Sequence, residues 1–246
     1  MKAIYQPKGK AGEYASYACN LYVGCSNNCD YCYCKKGVLA HAMGQDKPQL
    51  KKCFKDEPDA YVTFIKECSK LHDSLKEQGL FFTFTSDPCL PETFELFAAC
   101  IGAAMRMDIP CTILTKCTKW IDTKQGEAIL RYIHPELLNI GFTLTGRNDM
   151  EKGADTNESR ILAMEKIHSL GIKTWASIEP IVDLDSSLDV IYRTTNFCDF
   201  YKIGLMSGKK NYTPKEVLAF TGDLDWYLPK GNYMLKDSVK TYIGKI

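Results

Sequence analysis

Residues 20–37, with the sequence NLYVGCSNNCDYCYCKKG, form the stretch around which the rest of the chain is organised. This stretch spaces Cys25, Cys29 and Cys32 as C-x3-C-x2-C, so that three thiols lie on one short loop. A cubane iron–sulfur cluster takes one thiolate per iron. Because the loop supplies only three thiolates, one iron of such a cluster is left open to bind a small molecule.

Other interpretations of these three cysteines remain open. A structural zinc site takes four ligands, usually from two short Cys or His pairs. The sequence has no second C-x-x-C pair outside the loop, and its four histidines are scattered without metal-ligand spacing. An iron–sulfur electron carrier or redox sensor normally has four cysteine ligands in a small fold. The alternatives for Cys25, Cys29 and Cys32 are therefore a structural zinc or iron–sulfur site in a binding module, the cluster of a redox sensor, or three thiols without a common role.

Length and composition limit the class of protein. The 246 residues fit one α/β barrel-type domain, and 45% hydrophobic residues are enough for a sizeable core. The formal net charge of +1 gives no overall basic field that would indicate nucleic acid. The opening MKAIYQPKGK lacks the apolar core of a signal peptide, and no apolar run is long enough to span a membrane. We therefore expect a cytoplasmic protein with reduced thiols.

The pattern of apolar residues predicts strands that alternate with helices. The predicted strands are 19–23, 80–85, 111–115, 138–145, 173–178 and 200–203, and the predicted helices are 60–78, 93–107, 124–133, 158–169, 186–195 and 214–220. Such alternation requires a parallel sheet, and six units are too few to close an eight-stranded barrel. We predict a partial (β/α)6 barrel over 19–225, after an N-terminal arm (1–18) and before a C-terminal segment (226–246) that caps the barrel mouth.

Polar residues follow two of the predicted strands at the end where parallel sheets bind ligands. Ser86 and Asp87 follow the second strand in TFTSDPCLPE, and Lys116 follows the third in ILTKCTKW. A lysine in this position can pair with a ligand carboxylate. Both features also have a purely structural interpretation. Ser-Asp-Pro is a common turn and helix-cap sequence, and Lys116 is then a solvated lysine at a strand end.

The fourth and fifth strands also carry candidate site residues. Thr143 and Thr145 share one face of the fourth strand in NIGFTLTG, because side chains two apart in a strand point the same way. Glu179 follows an apolar run in WASIEPIVD. A carboxylate buried there needs a partner, which is either a ligand, such as a ribose or the substrate, or a neighbouring lysine.

The loop and its flanks resemble the radical S-adenosylmethionine (SAM) enzymes. The resemblance rests on the cysteine spacing, on Tyr31 before the third cysteine and on Tyr33 after it. NLYVGC and CDYCY resemble the branch that includes spore photoproduct lyase, and YQPKGKAGEYASYACNLYVGC resembles uncharacterised members from phages and prophages. The resemblance implies a partial barrel in which the three cysteines hold a [4Fe–4S] cluster, whose open iron is chelated by the amino and carboxylate groups of SAM.

The resemblance also implies an activity and roles for individual residues. It implies that SAM is reductively cleaved to methionine and a 5′-deoxyadenosyl radical, which abstracts hydrogen from a substrate. Nucleic acid or a nucleotide is the first expectation for the substrate. A flavodoxin or ferredoxin is the expected electron donor. The residues that it implies as SAM ligands are Tyr33, Ser86, Asp87, Lys116 and Thr143, with Glu179 as a further candidate. Tyr31 and Tyr33 would pass the radical on to regenerate SAM.

The chain departs from the lyase in two respects. Phe84 stands where the lyase has its hydrogen-donating cysteine, and no counterpart to the DNA-contacting hairpin is apparent. We therefore expect a different substrate from spore photoproduct. Cys89, on the same strand-end loop, is predicted to lie near the site mouth and to return hydrogen to the substrate radical, with Cys117 as a rival. If the substrate is a polymer, the lysines expected to contact phosphate are Lys51, Lys52, Lys209 and Lys210.

Overall fold

The computed structural model describes residues 2–37, 40–131 and 134–245. In this part of the chain the strands are β1 (Ile4–Tyr5), β2 (Ala18–Cys19), β3 (Tyr22–Val23), β4 (Gln49–Leu50), β5 (Leu80–Phe82), β6 (Cys111–Thr115), β7 (Leu138–Thr143), β8 (Lys173–Ile181), β9 (Phe200–Leu205) and β10 (Tyr233–Leu235). The α-helices are α1 (Ala40–Met43), α2 (Glu57–Lys70), α3 (His72–Gln78), α4 (Phe94–Met105), α5 (Lys124–Leu130), α6 (Asn157–Ser169), α7 (Leu184–Thr194), α8 (Pro214–Tyr227) and α9 (Asp237–Ile243).

Eight of the strands form one sheet in the order β1-β2-β5-β6-β7-β8-β9-β10. From β2 to β10 every neighbouring pair is parallel, and β1 runs antiparallel to β2 at one edge. β1 and β10 are the two edges of the sheet and do not pair with each other. The carboxyl ends of the parallel strands therefore meet on one side of an open sheet, as predicted for a partial barrel.

Each of the six predicted strands has a counterpart in the sheet, but two predictions need correction. The first predicted strand divides: β2 joins the large sheet, whereas β3 pairs with β4 in a separate two-stranded sheet. The chain leaves the large sheet at Asn20, whose side chain hydrogen-bonds Tyr5, Thr83 and the Phe84 amide. The C-terminal segment adds a seventh parallel strand, β10, which the sequence pattern did not predict.

The predicted helices are present with shifted ends. The single helix predicted over 60–78 is two helices, α2 and α3, separated at Leu71, where the backbone leaves helical geometry. The helix predicted over 214–220 continues to Tyr227 as α8, starting from the predicted N-cap Thr213 in a full capping box. α5 ends at Leu130; the end predicted at 133 lies outside the described residues.

The apolar core lies between the sheet and its covering helices. Nine of the 12 residues of α4 are buried, because this helix packs against β6, α2 and α5. Gly141 in the middle of β7 allows the Trp175 ring of β8 to cross the strand, since a Cβ atom there would stand 2.2 Å from the indole. Among the described residues, no helix combines the length and the apolar character needed to cross a bilayer.

Candidate functional site

A cavity of about 730 Å³ opens where the carboxyl ends of the parallel strands meet. Its walls come from the loop that carries the three cysteines, from the carboxyl-terminal parts of β7 and β8, from the ends of β5, β6 and β9 with the segments after them, and from the N-terminal arm. This volume lies within the range that holds a cofactor-sized ligand. The cavity is therefore placed where ligands bind in parallel α/β sheets.

The cysteine loop is held across the end of the sheet by backbone hydrogen bonds on two sides. The amide of Cys25 donates to the carbonyl of Gln45 at 3.0 Å, and the amide of Asp30 donates to the carbonyl of Met150 at 2.9 Å. Cys29 forms an isolated antiparallel bridge with Glu151. As a result Cys25, Cys29 and Cys32 all line the cavity.

The ionisation of the loop thiols depends on burial and on Cys34. Burial, with the nearby Asp87 carboxylate, raises the pKa of Cys25 to about 12. A hydrogen bond with the Cys34 thiol lowers the pKa of Cys32 to about 6. Metal ligands must be thiolates, so loading of this loop with a metal centre releases protons.

The three thiols on the cavity wall match the number of protein ligands of a cubane cluster that leaves one iron open. Among the described side chains, no group of three His, Cys, Asp or Glu residues is placed to hold one metal ion. A cubane takes one thiolate per iron, so its cysteine ligands need not converge on a single point. The donor set on the cavity wall therefore fits a cluster with one iron left to a ligand.

Asp87 ties the cysteine loop to the ends of β5 and β6. Its buried carboxylate accepts four hydrogen bonds, from the Asn27 side chain (2.8 Å), the Cys89 amide (2.9 Å), the Thr115 hydroxyl (2.7 Å) and the Lys116 amide (2.8 Å). A buried carboxylate is tolerated when its lone pairs are satisfied in this way. Asp87 lines the cavity, and its predicted contact with a cofactor stays a prediction.

Three further predicted residues present polar groups to the cavity. The Ser86 hydroxyl is buried without a hydrogen-bond partner in the described part of the chain. The Lys116 ammonium lies 5.6 Å from the centre of the Tyr31 ring, and no described carboxylate lies within ion-pair distance of it. Thr143 lines the cavity, whereas Thr145 is fully buried away from it.

Tyr31 leads from the cysteine loop to a buried ion pair that the sequence analysis missed. Its hydroxyl donates to Glu151, and Glu151 pairs with Arg160 of α6. Both charged side chains are fully buried. Arg160 also donates to the carbonyl of Thr143 at 2.5 Å. This network joins the cysteine loop to the end of β7, and burial, reinforced by Glu151, raises the pKa of Tyr31.

Tyr33 and Cys34 both contact the end of β5. The Tyr33 hydroxyl donates to the carbonyl of Phe84, and the Cys34 thiol lies 3.8 Å from the same oxygen. Tyr33 is half exposed, whereas Cys34 is buried, and both line the cavity. Cys34 is thus a fourth thiol on the cavity wall, outside the predicted triad.

Glu179 is the centre of a second polar cluster, on the β8 side of the cavity. Its carboxylate accepts hydrogen bonds from Tyr14 (2.5 Å) and Lys236 (2.6 Å). Tyr14 also contacts the Ser177 hydroxyl at 2.9 Å, and Lys236 lies 3.2 Å from Glu13. Of the partners considered for Glu179, the structure thus provides a neighbouring lysine, supplied by the C-terminal segment.

Gly204 of β9 makes room for this arrangement. A Cβ atom at Gly204 would stand 2.7 Å from the Glu179 carboxyl carbon, which is too close for any side chain to be accommodated without displacing it. The absence of a side chain at Gly204 therefore lets the β9 backbone approach a glutamate that lines the cavity.

The cavity brings together almost all of the residues predicted from the sequence. The predicted residues that line it are Cys25, Cys29, Tyr31, Cys32, Tyr33, Ser86, Asp87, Lys116, Thr143 and Glu179. Cys89 is not among the described residues that line the cavity. It is buried, its backbone amide donates a hydrogen bond to Asp87, and burial raises the pKa of its thiol. The hydrogen-donor role of Cys89 stays a prediction.

Comparison with known proteins identifies distant relatives. No family model matches the sequence. An uncharacterized protein of Methanocaldococcus jannaschii, MJ0683, is 24% identical over 221 residues, which are 83% of this chain and 75% of that protein.

Solved structures are similar to this one in fold. A mutant of spore photoproduct lyase with bound AdoMet and dinucleoside spore photoproduct matches with a TM-score of 0.66 at 13% identity, over 94% of this chain and 78% of the lyase. Streptococcus suis SuiB bound to S-adenosylmethionine matches with a TM-score of 0.62 at 10% identity over 89% of this chain. The chain spans about half the length of SuiB, 49%. The prediction of a radical SAM-type partial barrel is thereby confirmed for the fold.

Proposed function

We propose that this protein is a radical SAM enzyme, in which Cys25, Cys29 and Cys32 hold a [4Fe–4S] cluster. The observation that carries the proposal is the shared cavity: the three thiols line the same space as the unpartnered Ser86 hydroxyl and the Lys116 ammonium. Three thiolates leave one iron for a ligand. A ligand with a carboxylate and further polar groups, such as SAM, matches the donors around that position.

The chain supplies binding, orientation and shielding, while the cofactors supply the reaction. When bound, the cluster and SAM would supply reductive cleavage of SAM and abstraction of hydrogen from the substrate, with a flavodoxin or ferredoxin as the electron donor. Lys116 binds the SAM carboxylate, Ser86 its methionyl group, and Thr143 and Tyr33 help to hold it. Glu179, which pairs with Lys236, accepts hydrogen bonds from hydroxyl groups of the ligand.

The experiment that tests this function is reductive SAM cleavage. The chain is reconstituted anaerobically with iron and sulfide, reduced with dithionite and given SAM, and 5′-deoxyadenosine and methionine are quantified by chromatography. We expect both products from the reconstituted protein and neither from protein treated with a chelator. A stable zinc-loaded protein would instead support a binding module with a structural metal site. A reconstituted cluster that leaves SAM intact would support a structural cluster or a redox sensor.

The substrate is a separate question from the SAM chemistry. The lyase neighbour carries a dinucleoside photoproduct, and SuiB has also been crystallised with its precursor peptide SuiA, in a structure that matches this chain with a TM-score of 0.66 at 10% identity. For this chain we propose a nucleotide or nucleic acid. Phe84 occupies the position of the lyase's donor cysteine, so the reaction proposed here is a radical modification other than spore photoproduct repair.

Lys116→Ala is expected to weaken SAM binding while the cluster stays intact. A charge-assisted hydrogen bond contributes about 1.5–3 kcal/mol, so the affinity for SAM should fall about ten- to a hundredfold. Isothermal titration of the reconstituted protein with SAM measures the change, and the visible spectrum reports the cluster.

Lys119→Ala is the matched control, because Lys119 is exposed and does not line the cavity. Its SAM affinity should equal that of the unaltered protein. An unchanged SAM affinity in Lys116→Ala would mean that the ammonium binds another group.

Cys89→Ala tests the hydrogen-donor prediction, with Cys34→Ala as the comparison. If Cys89 is the donor, its alanine variant keeps SAM cleavage but diverts the product distribution with the true substrate. Cys34 lines the cavity, whereas Cys89 does not. If only Cys34→Ala diverts the products, Cys34 is the hydrogen donor. If Cys89→Ala gives the same products as the unaltered protein, Cys89 has only a packing role.

A further inference from the structure

The N-terminal arm forms part of the cavity wall between two anchors. At one end β1 is paired with β2. At the other, Glu13 accepts hydrogen bonds from the Asp237 amide (2.8 Å) and contacts Lys236, and Lys202 donates to the carbonyl of Tyr14 at 2.9 Å. Residues 7–11 lie between these anchors and are called the strap here. Pro7, Lys8, Lys10 and Ala11 of the strap line the cavity.

The cavity is strongly basic, although the whole chain has a formal net charge of only +1. Of the described residues that line it, six are lysines and two are carboxylates. Both carboxylates are already engaged: Asp87 accepts four hydrogen bonds from the protein, and Glu179 pairs with Lys236. The excess positive charge is therefore available to a ligand.

Apart from Lys116, which faces the Tyr31 ring and is assigned to SAM above, the lysines of the strap are the least engaged of the six. Lys35 pairs with Asp46, and the Lys51 ammonium donates to the carbonyl of Lys2 at 2.7 Å. Lys10 contacts only the Ser207 hydroxyl, at 3.2 Å, and Lys8 has no hydrogen bond or ion pair with the described residues. Two ammonium groups on one short segment thus border the cavity without a carboxylate partner.

A third donor lies on the strand that leads into the strap. The Tyr5 hydroxyl lines the cavity and accepts a hydrogen bond from Asn20 at 3.0 Å, while its own proton has no acceptor in the described part of the chain. Two ammonium groups and a hydroxyl donor on the same stretch suit an anion with several oxygens. A phosphate offers more acceptor positions for such donors than a carboxylate does.

Aromatic rings line the cavity beside these donors. Phe84 stacks on Phe81 with ring centres 4.4 Å apart, and the Tyr14 ring stands 6.0 Å from Phe84. All three rings line the cavity. Base-sized planar groups stack on such surfaces without regard to sequence. The cavity therefore combines a surface for a planar group with donors for an anion.

We propose that Lys8 and Lys10 of the strap, with Tyr5, bind a phosphate of the substrate, which is a nucleotide or a nucleic-acid strand. The assignment of this ligand as the substrate rests on the proposed function, because the cysteine loop that is proposed to hold the cluster lines the same cavity. The inference differs from the sequence-based expectation of phosphate contacts: of Lys51, Lys52, Lys209 and Lys210, only Lys51 lines the cavity.

The test is nucleotide binding by the 246-residue chain without cluster or SAM. Fluorescence anisotropy of 5′-fluorescein-labelled hexathymidylate is measured against protein concentration at several salt concentrations, for the unaltered chain and for Lys8→Gln/Lys10→Gln. We expect the double variant to lose about tenfold in affinity at low salt. Each phosphate contact to a single strand contributes about −0.7 to the slope of log affinity against log salt, so the slope should become shallower by about 1.4.

Lys124→Gln/Lys173→Gln is the matched control, since it removes two exposed lysines that do not line the cavity. It should bind like the unaltered chain, and equal thermal melting curves for all three proteins show that each is folded. Absence of binding at low salt, or an equal loss in the control, would overturn the proposal.

Competition identifies the source of the phosphate. Displacement by thymidine 5′-monophosphate at similar concentration supports a free nucleotide, whereas resistance to it supports a strand. Displacement by hexaglutamate as effectively as by unlabelled hexathymidylate would overturn the phosphate assignment. The measurement needs no SAM chemistry, so its failure leaves the proposed function standing, and failure of SAM cleavage leaves the binding result unchanged.

Discussion

Replacing any one of Cys25, Cys29 and Cys32 with alanine is expected to abolish the iron–sulfur cluster. The unaltered chain should carry about four irons after anaerobic reconstitution, all in one cluster. In the proposed cluster each thiolate would bind a different iron, and all three cysteines line the same cavity. Loss of one leaves two irons without a protein ligand, so the cluster should not be retained. Iron and sulfide analysis together with the visible spectrum measures the outcome.

Two other cysteines provide the controls for this experiment. Cys34→Ala removes the thiol nearest to the triad, and Cys53→Ala removes an exposed thiol. Both variants should keep about four irons. Two clusters per chain in the unaltered protein, or full iron content in a variant of the triad, would contradict the assignment of these ligands.

Arg160→Leu is expected to destabilise the protein by about 3–5 kcal/mol, because it leaves the Glu151 carboxylate buried without its charged partner. Both side chains are fully buried, and the Arg160 guanidinium also donates to the carbonyl of Thr156 at 3.3 Å. Glu151 accepts the Tyr31 hydrogen bond from the cysteine loop. The loss should therefore loosen that loop as well as lower the free energy of unfolding, which denaturant titration of the cluster-free chain measures.

Arg193→Leu is the matched control for the buried pair. Arg193 lies on α7 with a partly exposed side chain, 3.4 Å from the exposed Asp189, and a surface pair of this kind contributes about 0–1 kcal/mol. The double variant Glu151→Met/Arg160→Met removes both charges and should cost less than Arg160→Leu alone. Equal unfolding midpoints for Arg160→Leu and Arg193→Leu would mean that the buried pair carries no net stability.

Local patterns in the sequence were sufficient for the central strands of the sheet, β5 to β9, and for most of the cavity wall. Buried parallel strands are continuous apolar runs, so their positions follow from composition along the chain. Ser86, Lys116 and Glu179 follow such runs, and parallel strands place their carboxyl ends on one side. Their convergence on one cavity was therefore predictable without knowledge of any long-range contact.

The residues that the sequence analysis missed depend on contacts between distant parts of the chain. Tyr31 and Glu151 are 120 residues apart, and Tyr14 and Glu179 are 165 apart. Lys236 follows β10, a strand of three residues that are all only partly buried. Such pairs leave no periodic signal, because each partner is an ordinary polar residue until the fold buries it.

The sequence by itself determined the three-cysteine loop, the parallel sheet and the polar residues at its carboxyl end, because spacing and apolar runs are local properties. Only the tertiary structure decided what those residues do with one another. It satisfies the Asp87 carboxylate with four donors, pairs Glu179 with Lys236, and places the strap on the cavity wall. A buried charge must find a partner wherever the fold provides one, and that choice is made in space and not along the chain.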